Sequence, residues 1–188
     1  MSPWVIVLII VVVAAVALLA WWAARRKRTT DLRERFGPEY DRTVRETGDD
    51  RRAAEAELAA RRARREQLNI RPLDPAARQR YAQQWNDVQA RFVDQPAASL
   101  AMADELVLLV MRERGYPMDD FDQRAADISV DHPQVVEHYR AAHDISTRTG
   151  SNQASTEDMR QGLVHYRALF AELLRGEDTT QTQMQEAR

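Results

Sequence analysis

Four histidines are the residues of this chain best suited to metal binding or proton transfer. His138 and His143 are five residues apart, which separates them by about 140° around a helix, so they do not share a face as the ligands of an HExxH motif do. His132 lies where a helix is expected to start, and His165 precedes Tyr166, which lies on an apolar stripe. A histidine site would have to be assembled by the tertiary fold, and the spacing predicts no metal ligand.

Asp119, Asp120 and Asp122 form an acidic run that invites a calcium-site interpretation. If Asp120 is position 1 of an EF-hand loop, position 6 is Ala125, where the loop requires glycine, and position 12 is Asp131, where it requires glutamate. The template therefore fails. Carboxylates at the start of a helix are explained by the helix dipole alone.

Other common catalytic arrangements are missing from the sequence. The chain has no cysteine, which excludes a disulfide framework, a thiolate metal site and a thiol nucleophile. None of its six glycines forms a phosphate-binding GxG or GxxxxGK pattern, and no serine lies in GxSxG. The sequence predicts no catalytic residue, no cofactor-binding residue and no cofactor.

The elements that would position these residues begin with an uninterrupted apolar run from Trp4 to Ala24. Its 21 residues would extend about 31 Å as a helix, close to the roughly 30 Å of a bilayer's hydrocarbon core. Trp4 at one end and Trp21 and Trp22 at the other are typical of aromatic residues at the two bilayer interfaces. The run predicts a single transmembrane helix over residues 4–24 in preference to a buried core helix of a soluble protein.

Arg25, Arg26, Lys27 and Arg28 follow the apolar run and predict its orientation. Under the positive-inside rule they lie in the cytoplasm, so residues 1–3 are outside and the rest of the chain is on the inner side of the plasma membrane. The same cations can contact anionic lipid headgroups. An exported protein with a cleaved leader is the alternative, but a leader begins with basic residues and has an apolar stretch of about 7–15 residues.

Residues 25–73 are predicted to form a basic juxtamembrane and stalk region of helices, with 15 basic and 10 acidic side chains. Thr30 is expected to cap a short helix that ends before Gly37, and a second helix is expected from Pro38 to Gly48.

A third stalk helix is expected to begin after Asp49 or Asp50 and to run toward Leu68. It consists mainly of Ala, Arg and Glu, with Leu58 and Leu68 as its large apolar residues, so a solvated helix is the preferred interpretation. The alternatives are a weak coiled-coil or partner-docking helix, and contact of residues 61–65 with nucleic acid or a membrane surface. Interleaved glutamates and the acidic chain that follows argue against nucleic acid.

Residues 74–176 are predicted to form an acidic antiparallel helical bundle, since 19 acidic and 12 basic side chains follow residue 73. Apolar residues recur there at spacings of three and four, and no segment alternates with the period of a strand. Residues 146–154 are expected to be a loop, Gly176 to end the last helix, and residues 177–188 to be a disordered tail. Helix starts are expected at Asp74-Pro75, at Pro96, at Asp119 or Asp120, at Asp131-His132-Pro133 and at Ser155, the last with Asp158 as a capping box.

A short internal echo lies within this bundle: residues 138–141 and residues 165–168 both read His-Tyr-Arg-Ala. Both tyrosines lie on apolar stripes, so equivalent core positions account for the echo without a duplication.

Three stretches, together with the apolar run, resemble a family of short actinobacterial proteins that are labelled hypothetical, secreted or membrane proteins. The resemblance covers most of the chain, and it implies a membrane-anchored helical protein without implying any functional residue. The stretches are LRERFGPEYDRTV (32–44), RAADISVDHPQVVEHYRAAH (124–143) and STEDMRQGLVHYRALFAELL (155–174).

The sequence as a whole predicts an all-α, single-pass membrane protein whose cytoplasmic bundle is an interaction or adaptor domain. The expected partners are the lipid bilayer and an unidentified protein, and nucleic acid is not expected as a partner. An enzyme or small-ligand binder with a site between the bundle helices is the alternative. A deep pocket with converging carboxylates or histidines would favour that alternative, whereas a filled core with an apolar surface groove would favour the adaptor.

Overall fold

The computed structural model describes residues 3–175, and along residues 3–28 it describes the side chains at positions 4, 12, 15, 16, 18, 19, 22, 26 and 27. Regular structure in residues 3–175 consists of eight α-helices without a strand, which confirms the all-α prediction. The helices are α1 (Pro3–Phe36), α2 (Pro38–Glu46), α3 (Arg51–Gln67), α4 (Pro75–Arg91), α5 (Pro96–Arg114), α6 (Phe121–Asp131), α7 (Val136–Gly150) and α8 (Thr156–Arg175).

The chain divides into two compact units, and the division falls within α3. The N-terminal unit ends at Ala59 and the C-terminal unit begins at Ala60. Residues 60–73, which the sequence assigns to the stalk, therefore belong to the same unit as the bundle. The predicted external residues 1 and 2, the helix stop at Gly176 and the tail over 177–188 lie outside the described residues.

Helix α1 is continuous over 34 residues, which corresponds to a length of about 51 Å. The predicted new helix start at Thr30 is wrong, because the Thr30 hydroxyl donates to the Arg26 carbonyl at 3.0 Å, one turn back along the same helix. Among the described residues, no helix is long and apolar enough to cross a membrane. The described residues therefore do not support the predicted transmembrane segment over residues 4–24. Most side chains of that segment lie outside the described residues.

The N-terminal unit has a turn residue, Gly37, between the end of α1 at Phe36 and the start of α2 at Pro38, where the sequence predicts the interruption. Leu32, Phe36 and Tyr40 on the two sides of this turn are buried. The Tyr40 hydroxyl donates to Glu55 in α3 at 3.2 Å, and burial together with the negative charge of Glu55 raises the pKa of Tyr40. Aromatic burial and one hydrogen bond therefore connect α2 to the start of α3.

Helix starts follow the capping chemistry that the sequence predicts. The Asp50, Asp74 and Asp120 carboxylates accept backbone N–H bonds from the first turns of α3, α4 and α6. Ser155 and Asp158 form the predicted reciprocal capping box at α8, with bonds of 3.1 and 2.8 Å.

Two further local predictions, both of helix boundaries in the C-terminal unit, are wrong. Asp131 does not begin α7: it is the last residue of α6, and its carboxylate accepts hydrogen bonds from Arg65 and Tyr116. The expected loop over 146–154 is helical as far as Gly150, because Thr147 and Thr149 bond their hydroxyls to carbonyls four residues earlier and so remain compatible with a helix.

The core of the C-terminal unit is centred on α5, which packs against α4, α7 and α8. Trp85 of α4 stacks on Phe170 of α8 with 4.6 Å between the ring centroids. The connections between α4 and α5 and between α7 and α8 are short, so each pair runs antiparallel, as predicted.

Candidate functional site

The predicted anchor residues lie in the first 28 residues of the chain, within the unbroken helix α1. Trp4 and Trp22 are exposed, and the Arg26 guanidinium lies over the Trp22 ring at 5.3 Å from its centroid. The Lys27 side chain is also exposed. The side chains of three further anchor residues lie outside the described set; they are Trp21, Arg25 and Arg28.

Large apolar side chains along α1 are strongly exposed. Six of them have exposed fractions between 53% and 83%: Trp4, Val12, Val16, Leu18, Leu19 and Trp22. Large exposed apolar patches are typical of segments that contact membranes or other proteins, and these six side chains are candidates for such a surface.

An open groove lies along the antiparallel pair α4 and α5. Each helix contributes four residues at positions i, i+3, i+4 and i+7, so each presents one continuous stripe. Val88 and Leu106 are buried at its floor, and Leu109 is exposed at its edge. The full lining is Gln84, Asp87, Val88, Arg91, Met102, Glu105, Leu106 and Leu109, around a volume of about 280 Å³.

The groove is open to solvent and partly charged. Small-molecule sites are usually concave clefts or cavities of about 300–1,000 Å³, lined mostly by apolar side chains with a few precisely placed polar groups. Here the volume is about 280 Å³, and the charged residues Asp87, Arg91 and Glu105 are exposed.

Two arginines of residues 61–65, Arg64 and Arg65, bind acidic residues in α6 and in the segment just before it, contrary to the solvated-helix interpretation of this segment. Arg64 donates to Asp127 at 3.0 Å and also contacts Asp119, while Arg65 donates to Asp131. The hydrogen bond and charge of Asp127 raise the pKa of Arg64. Of the carboxylates considered above as calcium ligands, Asp120 caps α6, and Asp119 and Asp131 bind arginines at the end of α3.

A buried polar cluster lies where the C-terminal ends of α5 and α8 meet. Arg114 is 2% exposed and donates to the Leu173 carbonyl at 3.1 Å, with His132 Nε2 3.3 Å away. Burial and the positive charge of Arg114 lower the pKa of His132, although Asp131 and Glu172 act in the other direction. Burial is also the main cause that raises the pKa of Tyr116, whose hydroxyl donates to Asp131 at 3.0 Å.

The two His-Tyr-Arg-Ala segments meet across the contact between α7 and α8. His138 Nδ1 lies 2.9 Å from His165 Nδ1, and burial followed by the neighbouring His138 lowers the pKa of His165. The tyrosines of the two segments, Tyr139 and Tyr166, are buried and hydrogen-bonded. The Tyr166 hydroxyl donates to Asp104 at 2.7 Å, and the Tyr139 hydroxyl accepts a hydrogen bond from Arg124 at 3.2 Å. Burial raises the pKa of both phenols.

Sequence reasoning missed the histidine pair because it compared His138 only with its neighbour on the same helix, His143. That residue stacks on Phe121, with 3.7 Å between the ring centroids. The echo was the signal that could have found the pair, since equivalent positions on adjacent antiparallel helices can face each other. Within residues 3–175, no three histidine, aspartate or glutamate side chains are grouped closely enough to hold a metal ion.

Comparisons with family models, curated proteins and solved structures found no match to this chain. The resemblance drawn from residues 32–44, 124–143 and 155–174 therefore stays a prediction.

Proposed function

We propose that this protein is a single-pass plasma-membrane protein whose helical C-terminal unit is a cytoplasmic adaptor domain without catalytic activity. Residues 4–24 would be the anchor, residues 25–28 would face the cytoplasm, and the groove between α4 and α5 would bind a helix of a partner protein. The proposed resemblance to actinobacterial membrane proteins agrees with this assignment.

The observation that carries the anchoring proposal is the exposure of large apolar side chains along α1. Val12, Val16, Leu18 and Leu19 are each more than half exposed in a helix that continues through residues 3–36. Lipid would remove these side chains from water, at roughly 25 cal/mol for each Å² of apolar surface. The run of 21 apolar residues in the sequence has the length that a bilayer requires.

The groove supports the adaptor half of the proposal. Its floor is apolar and its rim carries Asp87 and Glu105 beside a single arginine, Arg91. An amphipathic partner helix would place apolar side chains at every third or fourth position into the floor and a basic residue opposite the two acids. This arrangement matches the filled core and surface groove expected of an adaptor.

Membrane extraction tests the anchor. The double variant Val12→Asp, Val16→Asp introduces two charges where each would cost about 2.5–3.5 kcal/mol at a bilayer centre. We expect the wild-type chain to stay in the pellet after alkaline carbonate washing and the variant to be released. The matched control is Val93→Asp, since Val93 is 86% exposed and lies between α4 and α5, outside α1.

Release of the wild-type chain by carbonate would contradict the anchor. Intact mass measurement of the membrane-bound chain separates the anchor from a cleaved leader. The full mass is expected, and a mature chain that begins near Arg25 would refute a retained anchor.

Photo-crosslinking tests the groove. A photoreactive amino acid at Leu109 should give a discrete crosslinked protein in native membranes, and Glu105→Arg should abolish it by reversing a rim charge. The control position is Val164 on α8, which is 49% exposed and does not line the groove. Equal crosslinking from Leu109 and Val164, or a crosslink that survives Glu105→Arg, would contradict a specific site in the groove.

A further inference from the structure

The contact between Arg114 and His132 admits only one protonation state of the imidazole. His132 is 8% exposed, and its Nε2 atom lies 3.3 Å from Nη1 of Arg114. A guanidinium has donors and no acceptor, so Nε2 must accept the bond and the imidazole proton must be on Nδ1. Protonation of Nε2 would set two N–H donors and two positive charges against each other. The observed contact therefore requires a neutral imidazole.

The other ring nitrogen of His132 lies near a partner that favours the protonated form. Nδ1 is buried and has no hydrogen-bond partner among the described residues, and it lies 3.6 Å from Oε1 of Glu172. A movement of about 0.7 Å would bring these two atoms to hydrogen-bond distance. A carboxylate binds an imidazolium more strongly than a neutral imidazole, because a charge-assisted hydrogen bond is the stronger one. The imidazole thus has one partner for each of its two protonation states.

The charged groups that face His132 come from three helices: Arg114 of α5, Asp131 of α6 and Glu172 of α8. Burial and Arg114 lower the pKa of His132, whereas the two acids act in the other direction. Asp131 already accepts hydrogen bonds from Arg65 of α3 and from the Tyr116 hydroxyl. Glu172 pairs with Arg175 at 3.1 Å and is half-buried, so it remains the acid that can turn to the imidazolium.

We propose that Arg114, His132 and Glu172 form a pH switch that holds the last turn of α8 at neutral pH and releases it when His132 is protonated. In the neutral state Nη1 of Arg114 bonds both His132 and the Leu173 carbonyl, at 3.3 and 3.1 Å. A proton from solvent adds to the lone pair of Nε2, and the Nδ1–H of the imidazolium donates to the Glu172 carboxylate. Arg114 then loses one acceptor and is repelled by the new charge. The Leu173 carbonyl loses its donor as a consequence.

The effect is confined to the end of α8, because the last four carbonyls of a helix have no partner within the helix. The Leu173 carbonyl is one of these, and Arg114 supplies its donor. The stacking of Trp85 on Phe170, one turn earlier in α8, involves no group of the switch. Protonation should therefore fray the last turn while the core stays packed.

Hydrogen–deuterium exchange of the full-length chain in detergent, followed by mass spectrometry at pH 7 and pH 5, tests the proposal. Each rate is divided by the intrinsic exchange rate at that pH. We expect residues 170–175 to exchange about threefold or more faster at pH 5, and residues 156–162 at the start of α8 to be unchanged. A histidine that is free in the open state has a pKa of about 6.5, which limits the increase to about 25-fold.

Three variants separate the switch from other effects of pH. In His132→Gln an amide oxygen can accept from Arg114 at both pH values, so the acceleration should disappear. Glu172→Gln removes the partner of the imidazolium, so the acceleration should move to lower pH; this variant also tests the switch if His132→Gln does not fold. His143→Gln is the matched control, because His143 stacks on Phe121, and its acceleration should equal that of the wild type.

Three results would overturn the proposal. Equal acceleration in both segments of α8 would show that acid unfolds the whole unit. Equal corrected rates at pH 5 and pH 7 would show that protonation does not release the last turn. Acceleration that persists in His132→Gln, or that is unchanged in Glu172→Gln, would assign the pH response to other groups.

Discussion

Replacement of Gly115 by alanine should strongly destabilise the C-terminal unit. Gly115 ends α5 with φ at 96°, in the left-handed region, and an added Cβ would lie 2.5 Å from the backbone oxygen of Asn69. The left-handed conformation costs a non-glycine residue about 1–2 kcal/mol. Overpacking against a neighbour costs about 1–3 kcal/mol, and a backbone atom cannot rotate away as a side chain can. The expected loss in the free energy of unfolding is about 2–5 kcal/mol.

The displaced segment also supports the buried cluster around Arg114. The Arg71 amide donates to the Arg114 carbonyl at 2.9 Å, so movement of residues 69–71 would strain the bond that fixes the end of α5. Arg114 in turn holds the end of α8 through the Leu173 carbonyl. The substitution should therefore loosen both helix ends.

Thermal unfolding followed by circular dichroism measures this effect. For a unit the size of the C-terminal one, which begins at Ala60, each kcal/mol shifts the melting temperature by about 4 °C, which predicts a fall of about 8–20 °C. Gly150→Ala is the control without strain or contact, because nothing lies within 4 Å of the added Cβ, and its melting temperature should not fall. Gly48→Ala measures the cost of the left-handed backbone conformation alone, in the N-terminal unit. The φ angle of Gly48 is 67°, and nothing lies within 4 Å of the added Cβ. A Gly115→Ala melting temperature equal to that of wild type would refute the argument.

Three further predictions concern the polar interactions of the C-terminal unit. Because burial lowers the pKa of His132 below the usual value of a histidine, the unfolded chain takes up its proton first, and the free energy of unfolding should decrease as the pH falls from 7 to 5; His132→Gln should reduce that slope in urea titrations at each pH. Tyr166→Phe, which removes the donor to the Asp104 carboxylate, should cost about 1.5–3 kcal/mol in urea unfolding, and an unchanged midpoint would contradict that bond. Asp127→Asn should cost about 1–2 kcal/mol because its side chain is 1% exposed, whereas Asp119→Asn should cost close to zero, and equal effects would contradict the assigned burial.

Local sequence signals predicted most of the helices and their starts. Asp74 with Pro75, Ser155 with Asp158, and Gly115 act within a few residues of their own position, so spacing alone identifies them. The errors arose where a polar residue had two uses. Thr30 could cap a new helix or bond back to the preceding turn, and the second use prevails.

The candidate sites depend on contacts between residues distant in sequence, which spacing does not encode. Arg64 appeared to be a solvated cation, but its partner Asp127 lies 63 positions further along the chain. His138 and His165 are 27 positions apart and meet because α7 and α8 are antiparallel neighbours. The groove likewise requires that α4 and α5 pack together, although each stripe could be traced in the sequence.

Cysteine labelling in intact cells tests the central proposal, a chain anchored by residues 4–24 with its bundle in the cytoplasm. The natural chain has no cysteine, so each introduced thiol reports one position. Ser2→Cys should react with a membrane-impermeant maleimide in intact cells, and Gln153→Cys, at an exposed position between α7 and α8, should react only after the membrane is opened. Labelling of Gln153→Cys in intact cells, or recovery of the chain from the soluble fraction, would contradict the proposal.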